Sequence, residues 1–269
     1  MLDLAARRRV CQDTIERSPS IAESTPNSSL NSYFIPSQLP KLDKASAAFP
    51  DFPRSVVSIH NSDAFELSRK IKSSGKIGIL NLASDREPGG GWVYSLSKTQ
   101  EEALCYSSTL YATLKPEWYP YPNTGPGSCA GVFSPDVVVF KETLDKDCAD
   151  LATDDRHVVA VITVAAPCQP QLTQDGQNFA KKSDVTDLRE KIILVLRIAA
   201  SSGVTSLVLG AMGCGAYGCP PQLVANEMKD VIEMEEFGGW FENIVFAVFG
   251  AGPVGRENFD TFKEVFQQE

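Results

Sequence analysis

Glu101 and Glu102 follow three consecutive glycines, Gly89, Gly90 and Gly91, in the stretch LNLASDREPGGGWVYSLSKTQEEALCYSS. Paired carboxyl groups at a helix start suit acid–base work, one moving a proton while the other binds hydroxyls. Glycine admits positive φ and lets a ligand approach with no Cβ in the way, and Pro88 stiffens the entry. A purely structural reading fits the same spacing. Thr99-x-x-Glu102 is a capping box, and a triple glycine alone is more often a plain turn. On the helical period the two acids point about 100° apart, so only one of them is expected to reach a reacting atom.

A second glycine-rich stretch, LVLGAMGCGAYGCPPQLVA, holds Gly210, Gly213, Gly215 and Gly218 between an apolar run and a helix start near Pro220 or Pro221. Such a loop presents successive backbone N–H groups to an anion, aided by the helix N-terminus. It has no Gly-Lys-Ser/Thr ending, and it is not the dinucleotide fingerprint. A close-packed turn explains it equally well. Tyr217, within it, either stacks on a ribose or base or covers the core. Taken together, an acid pair, a glycine wall and an anion-cradling loop fit a ribose–diphosphate ligand, with the diphosphate on the second loop and the acids facing the sugar.

Composition narrows the alternatives. The 269 residues carry 25 Lys and Arg against 34 Asp and Glu, a net charge of -9. A broad basic surface for nucleic-acid phosphates is therefore not expected, nor is direct DNA binding. Seven cysteines, an odd number without a CxxC pair, point to reduced thiols in an intracellular protein, cytoplasmic or nuclear. No apolar run is long enough for a membrane span, and the charged, amphipathic start lacks the apolar core of a signal peptide. The two histidines, His60 and His157, are too few for a His-rich metal site, and neither stands in a nucleophile motif. No metal and no cofactor is expected. A monomer is the simplest assembly.

The elements that must position these residues read as alternating strands and helices. Residues 4–17 form an amphipathic helix, and the Ser-, Pro- and Asn-rich residues 18–54 an extended arm packed on the domain; residues 55–269 form the domain itself. Strands are predicted over 55–60, 76–83, 132–140, 157–166, 205–211 and 243–250. Helices are predicted from Asn61 or Ser62 to Gly75, over 100–114, 183–203 (apolar stripe Leu188, Ile192, Val195 and Leu196), 221–236 and 257–268. Near-continuous apolar strands between helices imply a layered α/β domain with a mostly parallel sheet. Both glycine loops follow strands directly, so both should open at the carboxyl edge as two walls of one cleft.

PGGGWVYSLSKTQEE resembles the signature of the poly(ADP-ribose) glycohydrolases, and LNLASDREPGGG, VFSPDVVVFK, VITVAAPCQP and LVLGAMGCGAYGCPP are similar, in order and spacing, to blocks of the microbial type. The leading helix RRRVCQDTIERS and the closing NFDTFKEVF also fit, so the resemblance spans nearly the whole chain. One departure is Cys168, where the family block often has Asn. The resemblance implies a macrodomain-like three-layer α/β/α fold with a mixed, mostly parallel central sheet. It implies hydrolysis of the ribose–ribose O-glycosidic bond of poly(ADP-ribose) or of ADP-ribosylated proteins, with ADP-ribose as product. ADP-ribosylation would thereby be reversed. Glu102 would be the catalytic acid, with Glu101 and Gln100 positioning the terminal ribose. Gly89, Gly90 and Gly91 would line ribose and diphosphate. Gly213, Cys214, Gly215, Ala216, Tyr217 and Gly218 would form the diphosphate loop, with Tyr217 against the distal ribose, and Asn81 and Ser84 would hold the ribose and the catalytic loop. A macrodomain that binds ADP-ribose without cleaving it is the main alternative; a hydrolase of mono-ADP-ribosylated substrates is another.

Overall fold

The computed structural model describes residues 2–267. In chain order the elements are α1 (Leu4–Ser24), β1 (Tyr33–Ile35), β2 (Ser58–His60), α2 (Ala64–Ser68), β3 (Lys76–Leu82), α3 (Trp92–Ser95), α4 (Gln100–Ser107), α5 (Leu110–Thr113), β4 (Gly131–Val139), β5 (His157–Val164), α6 (Lys182–Ser201), β6 (Val204–Leu209), α7 (Pro221–Ile232), β7 (Asn243–Ala247) and α8 (Gly252–Gln267).

The seven strands form one sheet in the order β1-β4-β5-β3-β6-β7-β2. The pairs β3–β5, β3–β6, β6–β7 and β2–β7 are parallel; β1–β4 and β4–β5 are antiparallel. Side chains alternate faces along each strand. Ile79, Val161, Val208 and Val245 pack under α1, α2, α4 and α5. Leu80, Ile162, Leu207, Leu209 and Phe246 pack under α6, α7 and α8. The result is the expected three-layer α/β/α arrangement with a mixed, mostly parallel sheet. The apolar stripe of α6 is fully buried. No helix among the described residues is long and apolar enough to cross a membrane.

Several boundaries differ from the sequence pattern, each for a local reason. α1 continues through Pro19 to Ser24, with the hydroxyls of Ser18 and Thr25 donating to the carbonyls of Thr14 and Ile21. The following arm is not extended coil throughout, because β1 adds an edge strand against β4. Asp63, not Asn61 or Ser62, caps α2, accepting the N–H groups of Phe65 and Glu66. β2 and α2 are shorter than predicted. The helix predicted over 100–114 breaks at Ser108 and Thr109: the Thr109 N–H donates to the Val138 carbonyl and the Val138 N–H to the Thr109 hydroxyl. Pairing with β4 thus overrides helix continuation. α7 ends at Ile232, and α8 begins already at Gly252. Gln268, the last residue of the predicted terminal helix, lies outside the described residues.

The parallel arrangement decides what shares the cleft. β3, β5 and β6 end at one edge, so residues 83–91, 165–169 and 210–219 emerge side by side. β4 runs the other way and starts at that edge, so residues 115–130 arrive there as a fourth wall.

Candidate active site

Asn81 and Thr163 are single polar residues inside apolar strands, and they are register partners on β3 and β5. Asn81 lies two residues beyond Ile79, hence on the face covered by α4. Its Nδ2 donates to Thr163 Oγ1 (3.2 Å) and to Glu101 Oε1 (3.1 Å), and its Oδ1 is buried with no partner among the described residues. The Ser84 N–H donates to the other oxygen of Glu101, Oε2, at 2.7 Å. Gln100, expected against the ribose, has both ends of its amide on the main chain of β3: its Oε1 accepts from the Leu82 N–H and its Nε2 donates to the Leu80 carbonyl, each at 2.8 Å. That contact docks the start of α4 onto the sheet.

Glu101 and Glu102 are both buried. They do not diverge as the helical period suggested. A Cβ built on Gly90 would lie 2.9 Å from Glu101 Oε2 and 2.9 Å from Glu102 Oε1, so both carboxyl groups converge on one glycine. The 100° separation describes the Cα–Cβ bonds; three further bonds let the ends meet. Gly89, Gly90 and Gly91 all have positive φ, from 60° to 79°. The capping box does not form. Thr99 is the N-cap without a side-chain cap bond, and its hydroxyl donates instead to Glu102 Oε2. The Oε1 of Glu102 is thereby left facing Gly90. Burial pushes the Glu101 carboxyl up to about 8, against the hydrogen bonds from Ser84 and Asn81, with the nearby Glu102 adding to the rise. Glu101 therefore holds a proton at neutral pH.

The second loop sits beside this centre. The N–H groups of Cys214, Gly218 and Cys219 close turns within the loop. Those of Gly215, Ala216 and Tyr217 meet no acceptor among the described residues, and Gly215 and Ala216 are exposed. The side chains of Cys214 and Cys219 are buried. Tyr217 bridges the walls: its hydroxyl donates to Asp85 Oδ1 at 2.6 Å.

Two residues at this edge have no place in the sequence reading, Asp85 and Asn123, and Thr99 stands there only as a helix cap. Asn123 comes from the Pro- and aromatic-rich stretch WYPYPNTGPG. Its Nδ2 donates to Asp85 Oδ1 (3.1 Å) and the Ala166 carbonyl (2.8 Å), and its Oδ1 accepts from the Cys168 N–H (2.6 Å). The density of aromatic and proline residues was the available signal.

Competing chemistries lack their parts here. His157 opens β5, at the opposite end of the sheet from the cleft, and burial lowers its imidazole to about 4. Cys105 and Cys214 are buried, and burial drives both thiols well above the usual range, away from the thiolate a nucleophile needs.

Residues 11–142 match the family model described as microbial-type PARG, catalytic domain. Over that stretch the chain is similar to the microbial-type PARG family. Among solved structures it is similar to poly(ADP-ribose) glycohydrolase from Thermomonospora curvata, with 23% identity over 97% of this chain and 99% of that one and a TM-score of 0.77. The same enzyme bound to the inhibitor ADP-HPD matches with 24% identity, 97% and 99% coverage and a TM-score of 0.76. The Deinococcus radiodurans enzyme in complex with ADP-ribose matches with 24% identity over 99% of each chain and a TM-score of 0.68. At these identities the likeness is one of fold, and that fold is macrodomain-like. Comparison with curated proteins gives no match.

Proposed function

We propose that this chain hydrolyses the ribose–ribose O-glycosidic bonds of poly(ADP-ribose), releasing ADP-ribose, with Glu102 as general acid and base. The observation that carries the reading is the convergence of two buried carboxyl groups on Gly90, with one oxygen of Glu102 unengaged beside it. Breaking the bond requires a proton on the departing 2′-oxygen and stabilisation of an oxocarbenium-like sugar. Glu102 gives that proton as the C–O bond breaks. The resulting carboxylate then takes a proton from the water that attacks the sugar carbon, which restores the acid. Glu101 is held on both oxygens by Asn81 and Ser84, so its part is to position the terminal ribose and support the acid.

The buried Asn81 Oδ1 is an acceptor that a ribose hydroxyl would satisfy. Gly89 and Gly91 line the sugar, and Ser84 and Gln100 hold the catalytic loop. The open N–H groups of Gly215 and Ala216 take the diphosphate, and the ring of Tyr217 packs against the distal ribose. ADP-ribosylated proteins enter the same cleft as carriers of the polymer.

The test compares wild type with Glu102→Gln on purified polymer. Hydrolysis should fall at least 10²–10⁴-fold, the usual contribution of a general acid, while ADP-ribose affinity and the melting temperature stay close to wild type. Substantial turnover in the variant would reassign the acid.

A further inference from the structure

Asp85 joins the walls of the cleft and has no part in the mechanism above. It is buried, 6% exposed. Its Oδ1 accepts from the Tyr217 hydroxyl and from Asn123 Nδ2. Its N–H donates back to the Tyr217 hydroxyl (3.2 Å), and its carbonyl accepts from the Tyr121 N–H (3.0 Å). The partners are a phenol, an amide and a main-chain N–H, not a cation. Tyr217 is also tied through its own carbonyl, which accepts from the Gln169 N–H at 2.8 Å. The second glycine loop is otherwise short of internal bonds, since its turns close only through Cys214, Gly218 and Cys219. A carboxylate beside a diphosphate repels it, so attraction of the ligand does not explain an acid at this place. Its bond to Tyr217 does.

We infer that Asp85 is a positioning residue that, by gripping the Tyr217 hydroxyl, holds the Gly213–Gly218 loop in the conformation that offers its N–H groups to a diphosphate. Asn123 supports it by fixing the same oxygen from the opposite wall. The inference rests on the reading of this cleft as an ADP-ribose site. It predicts an unusual order among variants. Losing the Asp85–Tyr217 bond should hurt binding, whereas losing the negative charge while keeping the acceptor should not.

The experiment measures ADP-ribose affinity by calorimetry, and polymer KM and kcat, for wild type, Asp85→Ala, Asp85→Asn, Tyr217→Phe and the Asp85→Ala/Tyr217→Phe double variant. Tyr217→Phe removes a single hydroxyl, which keeps the test informative should Asp85→Ala fold poorly. Hydrogen bonds to charged groups are strong enough that Asp85→Ala and Tyr217→Phe should each weaken binding about tenfold. KM should rise more than kcat falls, and the double variant should bind no worse than the weaker single one. Asp85→Asn should bind at least as tightly as wild type. Affinity of Tyr217→Phe within twofold of wild type, multiplying losses in the double variant, or Asp85→Asn as weak as Asp85→Ala would each overturn the inference and leave the hydrolase reading standing. A wild type that neither binds ADP-ribose nor cleaves polymer would overturn both.

Discussion

At Gly90 an added Cβ would lie 2.9 Å from an oxygen of each catalytic-loop acid, whereas at Gly215 it would meet nothing within 4 Å. The two loops leave neighbouring strands at one edge of the sheet and look alike in sequence, yet glycine serves different ends in them. In the first, the side chains of Glu101, Glu102, Tyr94 and Tyr111 already fill the space around the backbone. That loop is a packed wall whose shape the protein itself determines. In the second, Gly213 packs against Ala166 and Cys219, but the space at Gly215 and Gly218 is empty, and the backbone is tied at Cys214 by Asn258 and at Tyr217 by Asp85 and Gln169. That loop is an exposed rim of N–H groups whose complement is a ligand. The lesson is that a glycine run marks a site only after one knows what occupies the place of the missing side chain.

Three further measurements would sharpen or break this contrast. The largest effect is expected at the packed wall. Gly90→Ala places a Cβ against two carboxyl oxygens at a φ of +60°. Displacing the acids by about 1 Å costs on the order of 10²-fold in rate, and the left-handed backbone adds roughly 1–2 kcal/mol of strain. Kinetics on polymer together with chemical denaturation check both; activity within tenfold of wild type would show that the acids need not sit against this glycine.

A smaller effect concerns pH. Burial raises the Glu101 carboxyl from 4.5 to about 8 in the fold. The protonated form is thus favoured by folding. Its stability contribution is complete below the unfolded value, is lost progressively as pH rises toward the folded one, and is gone above about 8. Between pH 6.5 and 8.5 wild type should lose about 2 kcal/mol from this group, at roughly 1.4 kcal/mol per pKa unit. Glu101→Gln, neutral throughout, should lack that part of the slope in urea unfolding at the two pH values. Identical slopes would remove the case for a proton held on Glu101.

The smallest effect is expected at the open rim. Gly215→Ala meets no neighbour, so folding stability should change by less than about 0.5 kcal/mol. Any loss should appear only in ADP-ribose affinity. A large drop in melting temperature would mean that the rim is packed after all.

Most of the element order, the layering and the side on which the cleft opens were legible along the chain, but not the edge strand β1 or the short α3. Near-continuous apolar runs between helical stripes leave few alternatives, and parallel strands oblige their exit loops to share an edge. The acid pair and both glycine loops were legible because each lies within one short stretch, whereas Asn81 came only with the family resemblance. Tertiary structure alone decided the rest. Pairing with β4 broke the helix at Ser108, docking on β3 engaged the Gln100 amide, and Gly90 drew Glu101 and Glu102 together. Asp85, Asn123 and Tyr217 meet from segments far apart in the chain. Propensity and periodicity report only on a residue's neighbours along the chain, while a hydrogen bond between distant segments depends on where the whole sheet delivers them.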